Sequence, residues 1–277
     1  MTHIDYLAIG HITRDLTPDG DKLGGAVSFS SRLAQALGCK TAVLTSKGPD
    51  FQWQHELPDI EIVSIAAEET TTFENVYTPD GRIQTIFGTA APILAKHVPE
   101  AWQRASIVFL GPVDDEIDPQ IVYLFSDSMI CLAPQGWHRQ WDENGRVSQK
   151  AWQDMAEILP LATAVVISME DLPDEETLDE YIDLCKLLVV TRGADGCTVY
   201  YDDEIRHLPT RKANEVDATG AGDIFATAYF VRLYQTDGNP WEAARFANSI
   251  ATLSIEYSGV TAKVTAVQEY LKRNEER

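Results

Sequence analysis

Val216-Asp217-Ala218-Thr219-Gly220-Ala221-Gly222-Asp223, running on into Ile224-Phe225-Ala226-Thr227-Ala228-Tyr229-Phe230, is the stretch on which the reading of this chain turns. Its second half is a helix pattern. Its first half is small residues with two glycines at the helix start. The first N–H groups of a helix have no intrahelical acceptor, and the helix dipole favours negative charge beside them. Glycines let an anion approach closely. Gly220-Ala221-Gly222 therefore reads as an anion cradle, with Asp223 beside it in the first turn. A carboxylate next to a phosphate site is unfavourable unless it has a task. The natural task is that of a general base, taking a proton from a hydroxyl that attacks a phosphoryl group. Two plainer readings compete on spacing alone. An acid in a helix's first turn is ordinary dipole chemistry. A dinucleotide-binding fingerprint is the other rival, but Phe225 stands where its third glycine belongs, and such a site usually opens a chain. Nothing fits G-x-x-x-x-G-K-[ST].

Upstream of this stretch, strands alternate with helices. Apolar runs suited to buried parallel strands are Tyr6–Ile9, Thr41–Thr45, Ile107–Leu110, Met129–Ala133, Ala164–Ser168 and Leu187–Thr191. Amphipathic stretches predict helices at Ser28–Leu37, Pro119–Phe125, Lys150–Leu159 and Glu175–Leu184. Downstream the chain is helical, over Gly220–Tyr234, Pro240–Tyr257 and Thr265–Arg273. Alternation of this kind implies a layered α/β domain. One segment departs from it. Thr70–Tyr77 and Arg82–Phe87 alternate around the turn signal Pro79-Asp80-Gly81 and predict a β-hairpin. A second extended pair flanks Pro18-Asp19-Gly20. The two pairs predict a small projecting sheet, either a surface decoration or a lid over a site.

Composition narrows the function classes. Of 277 residues, 44% are hydrophobic and 23% charged, which excludes wholesale disorder. Twenty-two Lys and Arg against 43 Asp and Glu leave a formal charge of −21. No nucleic-acid or membrane partner is expected from that balance, and a phosphate substrate has to be held by local donors against a repulsive field. The four cysteines have no C-x-x-C spacing, the six histidines no zinc-ligand spacing, and the start no signal-peptide pattern, so a cytoplasmic protein is expected.

Asp217-Ala218-Thr219-Gly220-Ala221-Gly222-Asp223 closely resembles the D-T-x-G-A-G-D signature of the ribokinase-like (PfkB) carbohydrate kinases. Gly10 with Asp15 resembles the family's opening G-x(4)-D, and Gly24-Gly25 its N-terminal di-glycine. Thr191-Arg192-Gly193 with Gly196, and Asn248, resemble the segments that border the nucleotide. The resemblance implies one ribokinase-like kinase domain over residues 1–277. Its fold would be a doubly wound, mostly parallel α/β sheet flanked by helices, with a small β-sheet lid formed by segments about 11–23 and 70–88. It implies an ATP-dependent kinase of a small sugar or polyol, acting with Mg²⁺, as a monomer or homodimer. Asp223 would be the base, and the amides of Gly220, Ala221 and Gly222 the anion hole. Asp15, Gly24, Gly25, Ser28 and the lid residues Phe73, Asn75 and Gln84, with Arg139, would hold the acceptor. Thr191, Gly193, Gly196 and Asn248 would border ATP. Asp171 would help hold hydrated Mg²⁺, and Asp217, with Thr219, lies where some members bind a monovalent cation.

Three positions depart from the pattern. Phe29 stands where the family often has an Asn. The family's N-x-x-E element has no literal copy, its nearest counterpart being Ser168-Met169-Glu170-Asp171. Ala218 replaces the usual Thr. An Asn amide both donates to and accepts from the vicinal hydroxyls of a furanose, whereas Phe29 offers an apolar wall. A cyclitol has C–H-lined ring faces and hydroxyls at its rim. An inositol-like acceptor is therefore expected ahead of ribose, fructose or a nucleoside, and Gly-Gly-x-x-Ser-Phe also resembles the inositol kinases of this family. Two other readings stand beside the kinase: a non-catalytic ligand-binding protein on the same fold, and a nicotinamide-dependent oxidoreductase. The intact Asp223 and its glycines speak against the first, and NAD failing to protect against unfolding would exclude the second.

Overall fold

The computed structural model describes residues 3–78 and 81–275. The turn expected at Pro79-Asp80-Gly81 falls largely on Pro79 and Asp80, which lie outside them. In chain order the elements are β1 (Tyr6–Ile9), β2 (Thr13–Leu16), β3 (Lys22–Gly24), α1 (Ala26–Ala36), β4 (Thr41–Lys47), β5 (Glu61–Ala66), β6 (Thr72–Thr78) and β7 (Gly81–Gly88). Next come β8 (Ile107–Leu110), β9 (Met129–Leu132), β10 (Arg139–Trp141), β11 (Val147–Gln149), α2 (Met155–Ile158), β12 (Ala164–Ser168) and α3 (Glu175–Leu184). The last are β13 (Leu187–Thr191), β14 (Cys197–Tyr201), β15 (Glu204–Leu208), α4 (Ala221–Gln235), α5 (Pro240–Ser254) and α6 (Val260–Glu275).

Nine strands form one sheet in the order β15-β14-β13-β12-β9-β8-β1-β4-β5. The pairs from β5 to β13 are parallel, and β14 and β15 add an antiparallel edge. The central strands read as continuous apolar runs because both faces are covered. Tyr6, Ala8, Ile107, Phe109, Leu187 and Val189 point into a core shared with α1, α4, α5 and α6. Their neighbours Leu7, Ile9, Val108, Leu110, Leu188 and Val190 point into the opposite core with α3. Side chains of a strand alternate between faces, so one apolar run supplies two cores. Helix α4 is buried nearly all round, from Ile224 to Val231, as befits a helix enclosed by α1, α5 and the sheet.

A second sheet, in the order β3-β2-β6-β7, carries both expected extended pairs. Strands β2 and β6 are parallel, and the outer pairs antiparallel. Its inner face is Phe73, Asn75, Gln84 and Ile86, and Phe73 and Ile86 are buried. Val76 and Phe87, on the other face, are exposed.

Several expectations are corrected. Pro119–Leu124 is a 3₁₀ stretch opened by Asp118, not an α-helix. Lys150–Leu159 yields only the single α-turn α2, because Pro160 follows directly. Helix α6 begins five residues before Thr265, since Val260 and Lys263 are themselves buried. Strand β5 and the hairpins β10–β11 and β14–β15 were not foreseen. Hairpin β10–β11 bends back to the small sheet, where Ile86 N–H donates to Gly145 O at 2.8 Å. A Cβ on Gly145, whose φ is +75°, would stand 2.1 Å from the carbonyl oxygen of Ile86, so only glycine allows the approach.

Candidate active site

In open α/β sheets, ligands bind beyond the carboxyl ends of strands where the strand order reverses. Here the reversal lies between β1 and β8, because β4 and β5 extend one way from β1 and β8, β9, β12 and β13 the other. Beyond these ends an open cleft lies between the large sheet and the small one. Thr13, Asp15, Gly25, Ala26 and Phe29 form one wall, and Phe73, Asn75 and Gln84 of the small sheet another. Val113, Gln135 and Arg139 follow β8 and β9, and Thr219, Gly220 and Asp223 close the floor.

Many of the expected residues thus meet in one place. Asp223 is half-buried in the first turn of α4. Gly220 precedes it at φ +72°, and a Cβ there would lie 2.5 Å from the Phe29 ring. Phe29 is only 3% exposed, so it is both a packing residue against Gly220 and an edge of the cleft wall. The first α4 hydrogen bond of i→i−4 type runs from Ile224 N–H to Gly220 O, so the Gly222 N–H lies ahead of the helical ladder. One expected donor is corrected: Ala221 N–H donates to Ala218 O at 3.0 Å and tightens the turn instead.

Asp15 leans over Gly24, where a Cβ would come within 2.3 Å of its carboxylate oxygens, and accepts from Thr13 Oγ1 at 2.8 Å. Burial raises its pKa to about 6, against the Thr13 hydroxyl and Arg139, which lower it. Arg139 donates from Nη1 to Val113 O at 2.9 Å and from Nη2 to Gln135 Oε1 at 3.3 Å. Asn75 and Gln84 face each other across β6 and β7, with Gln84 Nε2 donating to Asn75 Oδ1 at 2.9 Å.

Other expected residues stand elsewhere. Ser28 is fully buried and donates to Gly24 O at 2.6 Å, so it supports the wall from behind, and Gly24 likewise underlies Asp15. Thr191 ends β13, and Gly193 and Gly196 shape the turn into β14, where Arg192 N–H donates to Gly196 O. Asn248 is buried and donates from Nδ2 to Leu208 O at 3.0 Å, tying α5 to β15. Asp171 lies 3.7 Å from Arg139 Nη2, which balances its charge. Asp217 accepts from Thr219 N–H on one carboxylate oxygen, and from Ser258 Oγ and Gly259 N–H on the other. These bonds, with Lys263, outweigh burial and lower its pKa.

Sequence reading missed a buried polar cluster behind the cleft. His11 Nε2 faces Ala91 O at 2.9 Å, and Nδ1 faces Thr71 Oγ1 at 2.7 Å and Asp114 Oδ1 at 3.2 Å. Glu116 accepts from the N–H groups of His11, Val113 and Asp114. Burial works against a charged imidazole, but Glu116 and Asp114 outweigh it and raise the His11 pKa to about 9. The imidazolium joins the segments through which the small sheet meets the large one. Among the described residues, His11, Asp114 and Glu116 are the one group with metal-ligand geometry, yet protein partners already occupy both His11 nitrogens and both Glu116 oxygens. No sequence spacing announces the cluster, whose members lie on three separate segments.

The fold is similar to that of a kinase in the ribokinase family, with a TM-score of 0.81 at 20% identity over 95% of this chain and 99% of the other. The family described as pfkB family carbohydrate kinase matches residues 142–266, a span holding Asp171, Thr191–Gly196, Asp217–Asp223 and Asn248. That span is similar to a PfkB-family carbohydrate kinase domain. The chain is similar to the cytidine kinase of Thermococcus kodakarensis, 25% identical over 244 residues, which cover 82% of this chain and 87% of that protein. It is also similar to the inositol 3-kinase of Zea mays, 25% identical over 283 residues, covering 91% and 72%. Among solved structures, the fold is similar to a pyrophosphate-dependent kinase in the ribokinase family complexed with a pyrophosphate analog and myo-inositol. That likeness has a TM-score of 0.80 at 18% identity, over 95% of this chain and 99% of the other. No helix among the described residues is long and apolar enough to cross a membrane.

Proposed function

We propose that this chain transfers the γ-phosphoryl group of ATP to a hydroxyl of a small neutral polyol, with an inositol-like cyclitol preferred. The observation that supports it is that Asp223 and Gly220 share one cleft with Asp15, Phe29, Asn75, Gln84 and Arg139. Asp15 and the paired amides of Asn75 and Gln84 orient the acceptor hydroxyls, and the edge of Phe29 meets a ring face. The Asp223 carboxylate takes the hydroxyl proton as that oxygen bonds to the γ-phosphorus. The bond from this phosphorus to the β–γ bridging oxygen breaks, and ADP leaves. The N-terminus of α4 offsets charge developing on the transferred group. Thr191, Gly193 and Gly196 border the nucleotide. Asn248 acts there through the backbone it holds. Asp171, next to Arg139, is the side chain that would meet hydrated Mg²⁺, whose chemistry is to neutralise the nucleotide phosphates. The small sheet serves as the lid.

Steady-state kinetics test this reading. With ATP, kcat/KM for myo-inositol is expected to exceed that for ribose, fructose and cytidine. A tenfold preference for one of these, about 1.4 kcal/mol the other way, overturns the cyclitol assignment and leaves the kinase. Pyrophosphate belongs in the donor series, since the similar fold above comes from a pyrophosphate-dependent kinase.

A further inference from the structure

Lys263 closes the first turn of α6 with none of its surface exposed. An ammonium out of water is costly unless it is paired and bonded. Its Nζ donates to the carbonyl oxygen of Asp217, and the Asp217 carboxylate and Glu215 are its charge partners. The α5–α6 connection holds the same residue from every side. Val216 and Asp217 N–H donate to Ile255 O at 2.8 and 3.0 Å, and Asp217 Oδ2 accepts from Ser258 Oγ at 2.9 Å. The carbonyl gripped by Lys263 belongs to the peptide that leads into Ala218, whose own carbonyl accepts from Ala221 N–H. The direction in which α4 starts, and so the aim of Gly222 and Asp223, depends on that peptide.

We infer that Lys263 is a positioning residue for phosphoryl transfer: a tethered ammonium that fixes the Asp217–Gly220 turn from behind, where an independently bound monovalent cation would otherwise be needed. This rests on the kinase reading above. Among the side chains touching the turn, Ser258 and Thr219 are neutral, so Lys263 supplies positive charge beneath an anion site in a chain of net charge −21. An ammonium and a potassium ion both bind carbonyl oxygens. The turn therefore has its cation built in, and catalysis is expected to ignore K⁺.

The native chain and the variants Lys263→Ala and Lys263→Met are assayed with Tris as the only cation, then with added KCl, NH₄Cl or methylammonium chloride. Native turnover is expected to be the same throughout. Lys263→Ala loses about 10²-fold in kcat, the order of cost for a small misplacement of reacting groups, while the acceptor KM stays near native. The small cations restore at least about tenfold of that loss, because the truncated side chain leaves room for them. Lys263→Met fills the space and is not rescued. Thermal unfolding gives a readout independent of turnover: the Tm of Lys263→Ala rises with K⁺ or methylammonium but not with choline, and native Tm does not discriminate. A native chain that needs K⁺, a Lys263→Ala variant with native kcat, or one indifferent to every small cation in both readouts overturns the inference. If the native chain phosphorylates no polyol, the kinase reading fails, and the Tm series still decides whether Lys263 replaces a cation.

Discussion

At the scale of single residues, the site rests on two aspartates in different surroundings. Asp223 stands at the start of α4, in the cleft floor. Asp223→Asn keeps its shape and removes its basicity. The variant is expected to lose about 10²–10⁴-fold in kcat, with donor binding retained, as measured by steady-state kinetics and nucleotide titration. Near-native turnover would remove Asp223 from the role of base. Asp15 has its pKa lifted to about 6, chiefly by burial. On the proposed reading its carboxylate accepts from the acceptor's hydroxyls, and protonation removes the charge that strengthens those bonds, so the acceptor KM is expected to climb as pH falls below about 6. The linkage to stability has the opposite sign. The folded chain holds this proton more tightly than the unfolded one, so the group adds stability as pH falls from about 6 toward its ordinary value of 3.8. Asp15→Asn should raise KM at every pH and erase the acidic limb in KM against pH. A limb that persists in the variant assigns it to another group. Asp223 was expected from the glycines beside it and Asp15 from the family resemblance, and both line the cleft. Ser28 was misjudged: a hydroxyl in a helix's first turn bonds a backbone carbonyl as readily as a ligand.

At the scale of elements, the central parallel strands were legible because two-sided burial makes them continuous apolar runs, whereas the edge strand β5, mostly exposed, was not. The inner face of the small sheet was legible as alternation. Hairpin β10–β11 was not. Its strands are three residues each and mostly exposed, so they carry no periodic signal, and their contact with β7 is tertiary. That contact depends on Gly145. Gly145→Ala places a methyl against the Ile86 carbonyl and forces a residue with a side chain into positive φ, at a cost of about 1–3 kcal/mol. Hydrogen exchange at the Ile86 amide is expected to quicken in the variant, with a higher acceptor KM and a smaller change in kcat. In the native chain, β6 and β7 are expected to exchange more slowly when acceptor is bound. Unchanged exchange in both experiments would make the small sheet a fixed decoration.

At the scale of the whole molecule, charge and topology act separately. The net charge of −21 repels an anionic donor and leaves a neutral polyol unaffected. Raising ionic strength from about 0.01 to 0.15 M shortens the Debye length from about 30 to 8 Å. The value of kcat/KM for ATP is therefore expected to rise with salt, while that for the acceptor stays flat. A fall for ATP would reveal a local positive field stronger than the global one. The sequence by itself determined the layered α/β class, the order of its central parallel strands along the chain, the projecting sheet and the Asp217–Asp223 turn. Each is written in local patterns of period, glycine placement and helix start. Only the tertiary structure decided which of these parts meet. It brought Gln135 into the cleft, turned Ser28 and the Ala221 amide to structural use, gathered His11, Thr71, Asp114 and Glu116 at the junction of the two sheets, and set Lys263 beneath Asp217. These contacts join residues far apart in the chain. Their partners are selected by burial and by the need to satisfy buried polar groups, and neither leaves a periodic trace in sequence.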